Sequence, residues 1–253
     1  MADELKINTL KNFTNYYKEK TIKNQIVLHT TISGNGIDGD ITTFKNNTSK
    51  ISTHFIIDRE GNVTNIVPLE YWCNHLGIKG SFLYQQGFKD HSIRNAILNK
   101  GAIGIELDNW GPLFKQGNNK YKTIYGNIIT LNDSDVIVFD QKYRGYLCYE
   151  KYKESQLDSL KKLLLKLSKD LNISVKYNKE MWDVCKSALN GDNGLFTHVS
   201  YRADKCDCHP DPNLIKTIEN LTDLPTKPTT KKNKATKTLS DTEDPNLIDN
   251  MKK

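Results

Sequence analysis

The strongest constraint on the fold comes from residues 102–107, AIGIEL, which are apolar apart from one glutamate. An unbroken apolar run of this length is typical of a β-strand that is buried on both faces of its sheet. Such a sheet needs a further layer on each side, and helices commonly supply those layers. The segment therefore predicts an α/β fold in which a central mixed sheet is flanked by helices.

Other strands are predicted from short runs rich in β-branched residues. Residues 25–31 and 51–58 have this composition, and a turn at 59–61 followed by residues 62–67 predicts a hairpin. The stretch at about 111–149 is rich in tyrosine, isoleucine, valine and asparagine, and it predicts extra β-hairpins added to the central sheet.

The clearest helix signal lies at residues 155–171. There the leucines recur at alternating steps of three and four and form one apolar stripe: Leu157, Leu160, Leu164, Leu167 and Leu171. Ser155, with Asp158 three residues later, is a capping signal at the start of this helix. Further helices are predicted at 179–189 and 212–221.

The C-terminal part of the chain differs in composition from the rest. Residues 225–253 are rich in lysine, threonine and proline, which predicts a flexible tail after a catalytic domain at 1–224. DPNLI occurs at 211–215 and again at 244–248, and each copy is typical of a helix start with aspartate as the N-cap.

The charge is concentrated in the same tail. The whole chain has a net charge of +6, and without the five lysines between Pro225 and Thr238 the remainder has a net charge of +1. A nearly neutral body lacks the basic patch of a nucleic-acid-binding protein, so no nucleic-acid partner is predicted for it.

The sequence also bears on location. No run approaches the roughly 18 apolar residues of a membrane span, so a membrane protein is not predicted. The first 20 residues are polar and charged, which predicts a product made in the cytoplasm without a signal peptide. Its cysteines are then expected to be reduced.

Two histidines stand out as candidates for chemistry. His29 ends the predicted strand at 25–31, where a polar side chain is costly unless it has a partner or a function. His198 is followed by several further potential metal ligands, namely Asp204, Cys206, Asp207, Cys208 and His209. Zinc accepts histidine, cysteine and carboxylate ligands. A packed core histidine remains the alternative interpretation for His29.

Glu106 is the third candidate, because it lies in the apolar strand AIGIEL. Burial would raise the pKa of its carboxyl group toward the range in which a general base works at neutral pH. The alternative is a glutamate at the strand end that points into water.

Five blocks, in order, resemble the type 2 N-acetylmuramoyl-L-alanine amidase family over about residues 20–215. They are IVLHTTISGNG, STHFIIDREGNVTNIVPLE, HLG, AIGIELDNWG and THVSYRADKCDCHPDP. The family contains phage lysozyme-type amidases, amidases of muropeptide recycling and peptidoglycan recognition proteins. The resemblance implies an α/β fold with a zinc ion in a groove.

The resemblance also implies site residues. His29 and His198 match two zinc ligands, and Asp207, two residues after the catalytic lysine that Lys205 matches, matches the third. Glu106 matches the glutamate that activates water. The alternatives to Asp207 as third ligand are Cys208 and Cys206, which flank it.

Two further positions match the family's Trp-His-Ala-Gly block loosely, because this chain has Trp72-Cys73-Asn74-His75-Leu76-Gly77 there. His75 and Trp72 are therefore predicted to bind substrate, with an ordinary loop histidine as the alternative for His75. The segment at 111–149 has no counterpart in the smaller family members, and it is predicted to extend or cover the groove.

The function implied is zinc-dependent hydrolysis of the amide bond between N-acetylmuramic acid and L-alanine in bacterial peptidoglycan. The predicted setting is a monomeric phage endolysin or virion-associated lysin acting on the cell wall, with peptidoglycan or a muropeptide as substrate. The alternatives are a cytoplasmic recycling amidase, a non-catalytic peptidoglycan-binding protein, and a thiol hydrolase in which Cys206 or Cys208 is the nucleophile and His198 the base.

Overall fold

The computed structural model of the protein describes residues 5–34 and 36–221. Its strands in chain order are β1 (Ile7–Thr9), β2 (Gln25–Thr30), β3 (Phe55–Ile57), β4 (Val63–Asn65), β5 (Ala102–Leu107), β6 (Pro112–Gly117), β7 (Lys120–Thr123), β8 (Ile128–Thr130), β9 (Val136–Tyr143), β10 (Tyr146–Glu150) and β11 (Gly194–Thr197). Its α-helices are α1 (Asp38–Asn46), α2 (Gly80–Gln85), α3 (His91–Gly101), α4 (Glu154–Leu171), α5 (Lys186–Asn190) and α6 (Pro212–Glu219).

The central sheet is mixed, with the order β1-β4-β3-β5-β2-β11. Strand β2 lies between β5 and β11 and is parallel to both, whereas β3 and β4 form an antiparallel hairpin. The predicted mixed sheet is therefore confirmed. The strand predicted at 51–58 is shorter than expected, because only its second half is part of β3.

Helices cover both faces of this sheet, as the apolar strand β5 predicted. On one face the leucine stripe of α4 packs with α6 against alternate residues of β2 and β5, including Leu28 and Ile103. On the other face α3 and α5 pack against the remaining positions, including Val27 and Ala102. Because β-strand side chains alternate between faces, each central strand contributes to both layers.

The start of α4 differs from the prediction. The helix begins at Glu154 with Lys153 as N-cap, and the side chain of Gln156 accepts a hydrogen bond of 3.1 Å from the Lys153 backbone N–H. The hydroxyl of Ser155 instead donates to the carbonyl of Arg59 at 2.6 Å. Ser155 as the N-cap is therefore wrong, because its side chain joins α4 to the hairpin loop.

The continuous helix predicted at 179–189 is also wrong. The chain forms a 3-10 turn at Lys179–Trp182 and then the separate helix α5. A continuous helix would bond the Cys185 N–H to the Met181 carbonyl. That carbonyl instead accepts the hydroxyls of Thr197 and Ser200, at 2.5 and 2.8 Å, while the Cys185 N–H donates to the Ser200 carbonyl at 3.1 Å. Tertiary hydrogen bonds thus interrupt the helix.

The predicted start of the last helix is confirmed. Asp211 precedes α6 as its N-cap, its side chain accepts from the Asn213 N–H at 2.7 Å, and Pro212 is the first helical residue. The tail at 225–253, with the second DPNLI copy, lies outside the described residues, and the domain boundary at 224 stays a prediction.

The extra hairpins predicted at about 111–149 form a second, five-stranded antiparallel sheet with the order β8-β7-β6-β10-β9. A buried ion-pair network joins it to the central sheet. The guanidinium of Arg59 donates to Asp108, just after β5, and to Glu150, at the end of β10, where the Nη2–Oε2 distance is 2.9 Å. Arg59 also donates to the Gly34 carbonyl at 3.1 Å, so the loop after β2 belongs to the same network.

Within residues 5–34 and 36–221, no helix combines the length and the apolar character that crossing a membrane requires.

The buried histidine that directly precedes β3, His54, predicts acid sensitivity. His54 is fully buried, its Nε2 donates to the Tyr71 carbonyl, and its Nδ1 accepts from the Gly104 N–H. Burial lowers the pKa of His54 to about 3. Below a pH of about 6.5 His54 binds a proton in the unfolded chain but stays neutral in the folded chain. The free energy of unfolding therefore decreases as the pH falls from about 6.5 toward 3.

We expect the free energy of unfolding to fall about 1.4 kcal/mol more per pH unit in the wild type than in His54→Asn between pH 6 and 4. Urea unfolding with a chelator present, which keeps the metal state constant, measures both slopes. Equal slopes for the two proteins would show that His54 becomes protonated in the folded state.

Candidate metal centre

The sheet topology brings the candidate residues to one edge. In the parallel pair β2–β5, His29 lies directly opposite Glu106. Strand β11, on the other side of β2, ends at Thr197, and His198 follows immediately. The carboxyl ends of parallel strands meet at the same edge of a sheet, where α/β proteins usually bind ligands.

Three potential ligand atoms form a compact triangle at this edge. The distance from His29 Nδ1 to His198 Nδ1 is 3.1 Å, that from His198 Nδ1 to Asp207 Oδ2 is 2.8 Å, and that from His29 Nδ1 to Asp207 Oδ2 is 3.6 Å. Tetrahedral bonds of 2.0–2.1 Å place neighbouring ligand atoms about 3.3 Å apart. The triangle therefore fits a small divalent metal ion.

The far side of each imidazole is also held. His198 Nε2 donates to the Leu76 carbonyl at 3.0 Å, and His29 Nε2 lies 3.0 Å from His75 Nδ1. A proton on Nε2 leaves the Nδ1 lone pair free for a metal, and such outer contacts fix the orientation of metal-binding histidines. Burial lowers the pKa of His29 to about 4, which keeps this imidazole neutral.

Asp207 is the residue of its loop that meets the imidazoles. Burial alone would raise the pKa of its carboxyl group, but His198 and His29 hold that pKa well below its usual range. Among the described residues, it is the group His29, His198 and Asp207 whose ligand atoms lie within 4.8 Å of one another. Neither neighbouring cysteine belongs to this group.

The cysteines are also poor nucleophiles. Burial raises the pKa of Cys208 to about 12 and that of Cys206 to about 11, so both thiols stay protonated at neutral pH. Because the thiolate is the reactive form, this argues against the thiol hydrolase alternative.

Tyr152 links two of the segments that carry the triangle. Its buried hydroxyl lies 2.7 Å from Thr30 Oγ1 and 3.0 Å from Cys208 Sγ. Thr30 follows His29, and Cys208 follows Asp207, so one hydroxyl connects the residues next to two members of the triangle. The Tyr152 ring stacks on His209, which lies on the same loop, with ring centroids 4.6 Å apart.

A pocket of about 300 Å³, which we call the reactive pocket, opens over the triangle. Its lining includes all three members of the triangle together with Glu106, Lys205 and His75. Trp72, which was predicted to bind substrate, is not among the lining residues. It stacks on Tyr17 with ring centroids 3.9 Å apart, and its Nε1 donates to Glu19 at 3.0 Å.

Glu106 has an unusual environment for a carboxyl group. Burial raises its pKa well above the usual range, Asp207 and Asp40 add to the effect, and Lys205 opposes it. Its Oε2 atom is buried and has no hydrogen-bond partner among the described residues. Glu106 therefore has a carboxyl oxygen, Oε2, that is not engaged in a hydrogen bond with any described residue.

Sequence reasoning missed two tyrosines at this site. Tyr152 takes its position only through the folded contacts just described. Tyr125 lies in the turn between β7 and β8 and lines the reactive pocket from the second sheet. No motif marks either residue, although the prediction that the inserted segment extends or covers the groove anticipated a contribution of this kind.

Solved structures with a related architecture have low sequence identity to this chain. The endolysin N-acetylmuramoyl-L-alanine amidase LysCS from Clostridium intestinale URNW is 16% identical, with 88% of this chain and 100% of that chain covered and a TM-score of 0.43. The hydrolase AmiA from Staphylococcus aureus is 14% identical, with 86% and 83% covered and a TM-score of 0.47. A mutant endolysin from Bacillus subtilis is 16% identical, with 80% and 89% covered and a TM-score of 0.44.

Sequence comparison gives a clearer result. No curated protein matches the chain. The model of a family described as N-acetylmuramoyl-L-alanine amidase, however, matches residues 19–213, a range that contains the whole triangle together with Glu106 and Lys205. Because this match covers most of the chain, the protein belongs to the N-acetylmuramoyl-L-alanine amidase family.

Proposed function

We propose that this protein hydrolyses the amide bond between N-acetylmuramic acid and L-alanine in peptidoglycan, and that it requires zinc. The observation that carries the proposal is the buried triangle of His29, His198 and Asp207, with Glu106 directly opposite His29 on the neighbouring strand. Family membership supplies the reaction class, and the geometry supplies residues suited to it.

The donor set supports zinc in particular. Two neutral imidazoles and one carboxylate are a common protein ligand set for catalytic zinc, which keeps a fourth position open. The pocket above the triangle leaves room for that position. When bound, zinc would supply Lewis-acid chemistry, lowering the pKa of water and polarising the scissile carbonyl group.

Glu106 is the proposed general base and acid. Its raised pKa and unpartnered Oε2 suit a group that accepts a proton from the attacking water and later donates it to the leaving amine of L-alanine. The hydrolysis then balances, because the amide C–N bond breaks, a carboxyl group forms on the lactyl side, and the amine leaves with the proton.

Lys205 is the proposed stabiliser of the oxyanion. Its side chain lines the pocket and is close enough to Glu106 and His29 to influence the pKa of both. A cation placed where negative charge develops on the carbonyl oxygen stabilises the transition state more than the substrate. His75 is proposed to orient His29, whose Nε2 lies 3.0 Å from His75 Nδ1, and to contact the substrate in the pocket that it lines.

The setting we propose is a lysin that acts on intact wall. The five lysines between Pro225 and Thr238, with no acidic residue among them, would attract the chain to anionic wall polymers. Activity restricted to soluble muropeptides would instead indicate a recycling amidase, and binding without cleavage would indicate a recognition protein. The three candidate ligands His29, His198 and Asp207, which lie together, argue for catalysis.

Glu106→Gln tests the role of the base. Its amide cannot accept the proton, so we expect kcat to fall by a factor of about 10² to 10⁴ while one zinc ion per chain is retained. Mass spectrometry of digested wall measures new L-alanine amino termini, and elemental analysis measures zinc. The control is Glu60→Gln, an exposed glutamate that should behave as the wild type. Full activity of Glu106→Gln would reject the assigned base.

Tyr152→Phe tests the link beneath the ligands. Removing the hydroxyl takes this partner from Thr30, Cys208 and His209 Nδ1, while the ring still stacks on His209. Loss of a contact made directly to a ligand typically weakens metal binding about 10- to 100-fold; because this hydroxyl contacts the neighbours of the ligands, we expect a loss of about tenfold. Competition with a chromophoric chelator measures the zinc affinity. The matched control is Tyr149→Phe, because Tyr149 also stacks on His209 but its hydroxyl donates to the Tyr143 carbonyl. Equal zinc affinity in both variants would contradict the proposed link.

A further inference from the structure

The second sheet has an outer face that the proposed reaction does not use. Side chains alternate along β7, so that Tyr121 and Thr123 are buried while Lys122 is exposed. On β6, Leu113 is buried and residues 114–117, beginning with Phe114, are exposed. Phe114 pairs with Lys122, and Lys122 pairs with Ile128 on β8. These three side chains form a row across three strands, about 10 Å long at the usual strand spacing.

A depression of about 460 Å³ lies on this face, and Phe114, Gln116, Lys122 and Tyr125 line part of it. Tyr125 also lines the reactive pocket, so the two depressions adjoin at this side chain. Tyr125, in the turn between β7 and β8, is 71% exposed, and Phe114 on β6 is 46% exposed. The outer face therefore continues the reactive pocket onto the second sheet.

The chemistry of this face suits a saccharide. Pyranose rings present flat C–H surfaces that pack on aromatic side chains, while hydroxyl and acetamido groups accept hydrogen bonds from amide and ammonium donors such as Gln116 and Lys122. No acidic residue is among the described residues that line the depression. The cationic side chains that line the reactive pocket itself are Arg202, which also donates to Asp204, and Lys205, which is proposed to stabilise the oxyanion.

We propose that the outer face of the second sheet, formed by Phe114, Gln116, Lys122 and Tyr125, is a subsite for the glycan strand of peptidoglycan. This inference rests on the proposed function, because the scissile bond joins the glycan to the stem peptide. With the bond held near Glu106, the sugars next to it extend past Tyr125 onto β6 and β7. The subsite selects polymeric wall over single-sugar fragments.

The first test is binding of peptide-free glycan oligomers to the full chain, measured by isothermal titration calorimetry. Phe114→Ala and Tyr125→Ala should each weaken binding about tenfold. The matched control is Tyr84→Ala, because Tyr84 lies on α2 with a similar exposed fraction of 69% and lines neither depression. Unchanged affinity in both subsite variants would overturn the proposal, as would binding of free stem peptide, rather than glycan, that depends on Phe114.

The second test is kinetic. Phe114→Ala should lower kcat/KM about tenfold more for long glycan chains bearing stem peptides than for a muramoyl peptide with no further sugar. An equal effect on both substrates would overturn the subsite. The two proposals can fail separately: glycan binding that depends on Phe114 without amide cleavage would reject only the enzymatic function, whereas cleavage without such binding would reject only the subsite.

Discussion

The candidate centre depends on the parallel pairing of β2 with both of its neighbours. That pairing places His29 opposite Glu106. It also brings His198, which directly follows the end of β11, to the same edge of the sheet. A shift of one residue in either register would turn the corresponding side chain to the other face. The apolar cores on both sides of the sheet oppose such a shift, because each central strand fills both layers.

Other contacts position the loop that carries Asp207 and the second sheet, neither of which is part of the central sheet. Tyr152 ties the loop that carries Asp207 to the end of β2, and Arg59 ties the second sheet to the end of β5 and to the loop after β2. The contacts of Tyr152 and the ion pairs of Arg59 are buried, where leaving one partner unpaired is costly. The second sheet is thus fixed beside the reactive pocket, and from it Tyr125 reaches the pocket rim.

Much of this arrangement could be predicted from local patterns. The apolar strand β5 and the leucine stripe of α4 indicated the layers. A histidine at the end of a strand indicated His29 as a candidate, and a glutamate within an apolar strand indicated Glu106. The choice of Asp207 over its neighbouring cysteines depends on the path of the loop. The interruption of the helix after Met181 depends on the hydroxyls of Thr197 and Ser200, which are remote in sequence. The position of the Trp72 ring likewise depends on its stacking with Tyr17. Local patterns could show neither contact.

The central claim is that nitrogen and oxygen atoms, and no sulfur, hold a metal at this edge of the sheet. X-ray absorption at the zinc edge of the zinc-loaded protein tests it most directly. The account predicts two imidazoles and oxygen neighbours at about 2.0–2.1 Å, with the imidazole signal falling from two rings to one in His29→Ala and again in His198→Ala. A scatterer at about 2.3 Å would mean that Cys206 or Cys208 binds the metal, and it would contradict the account.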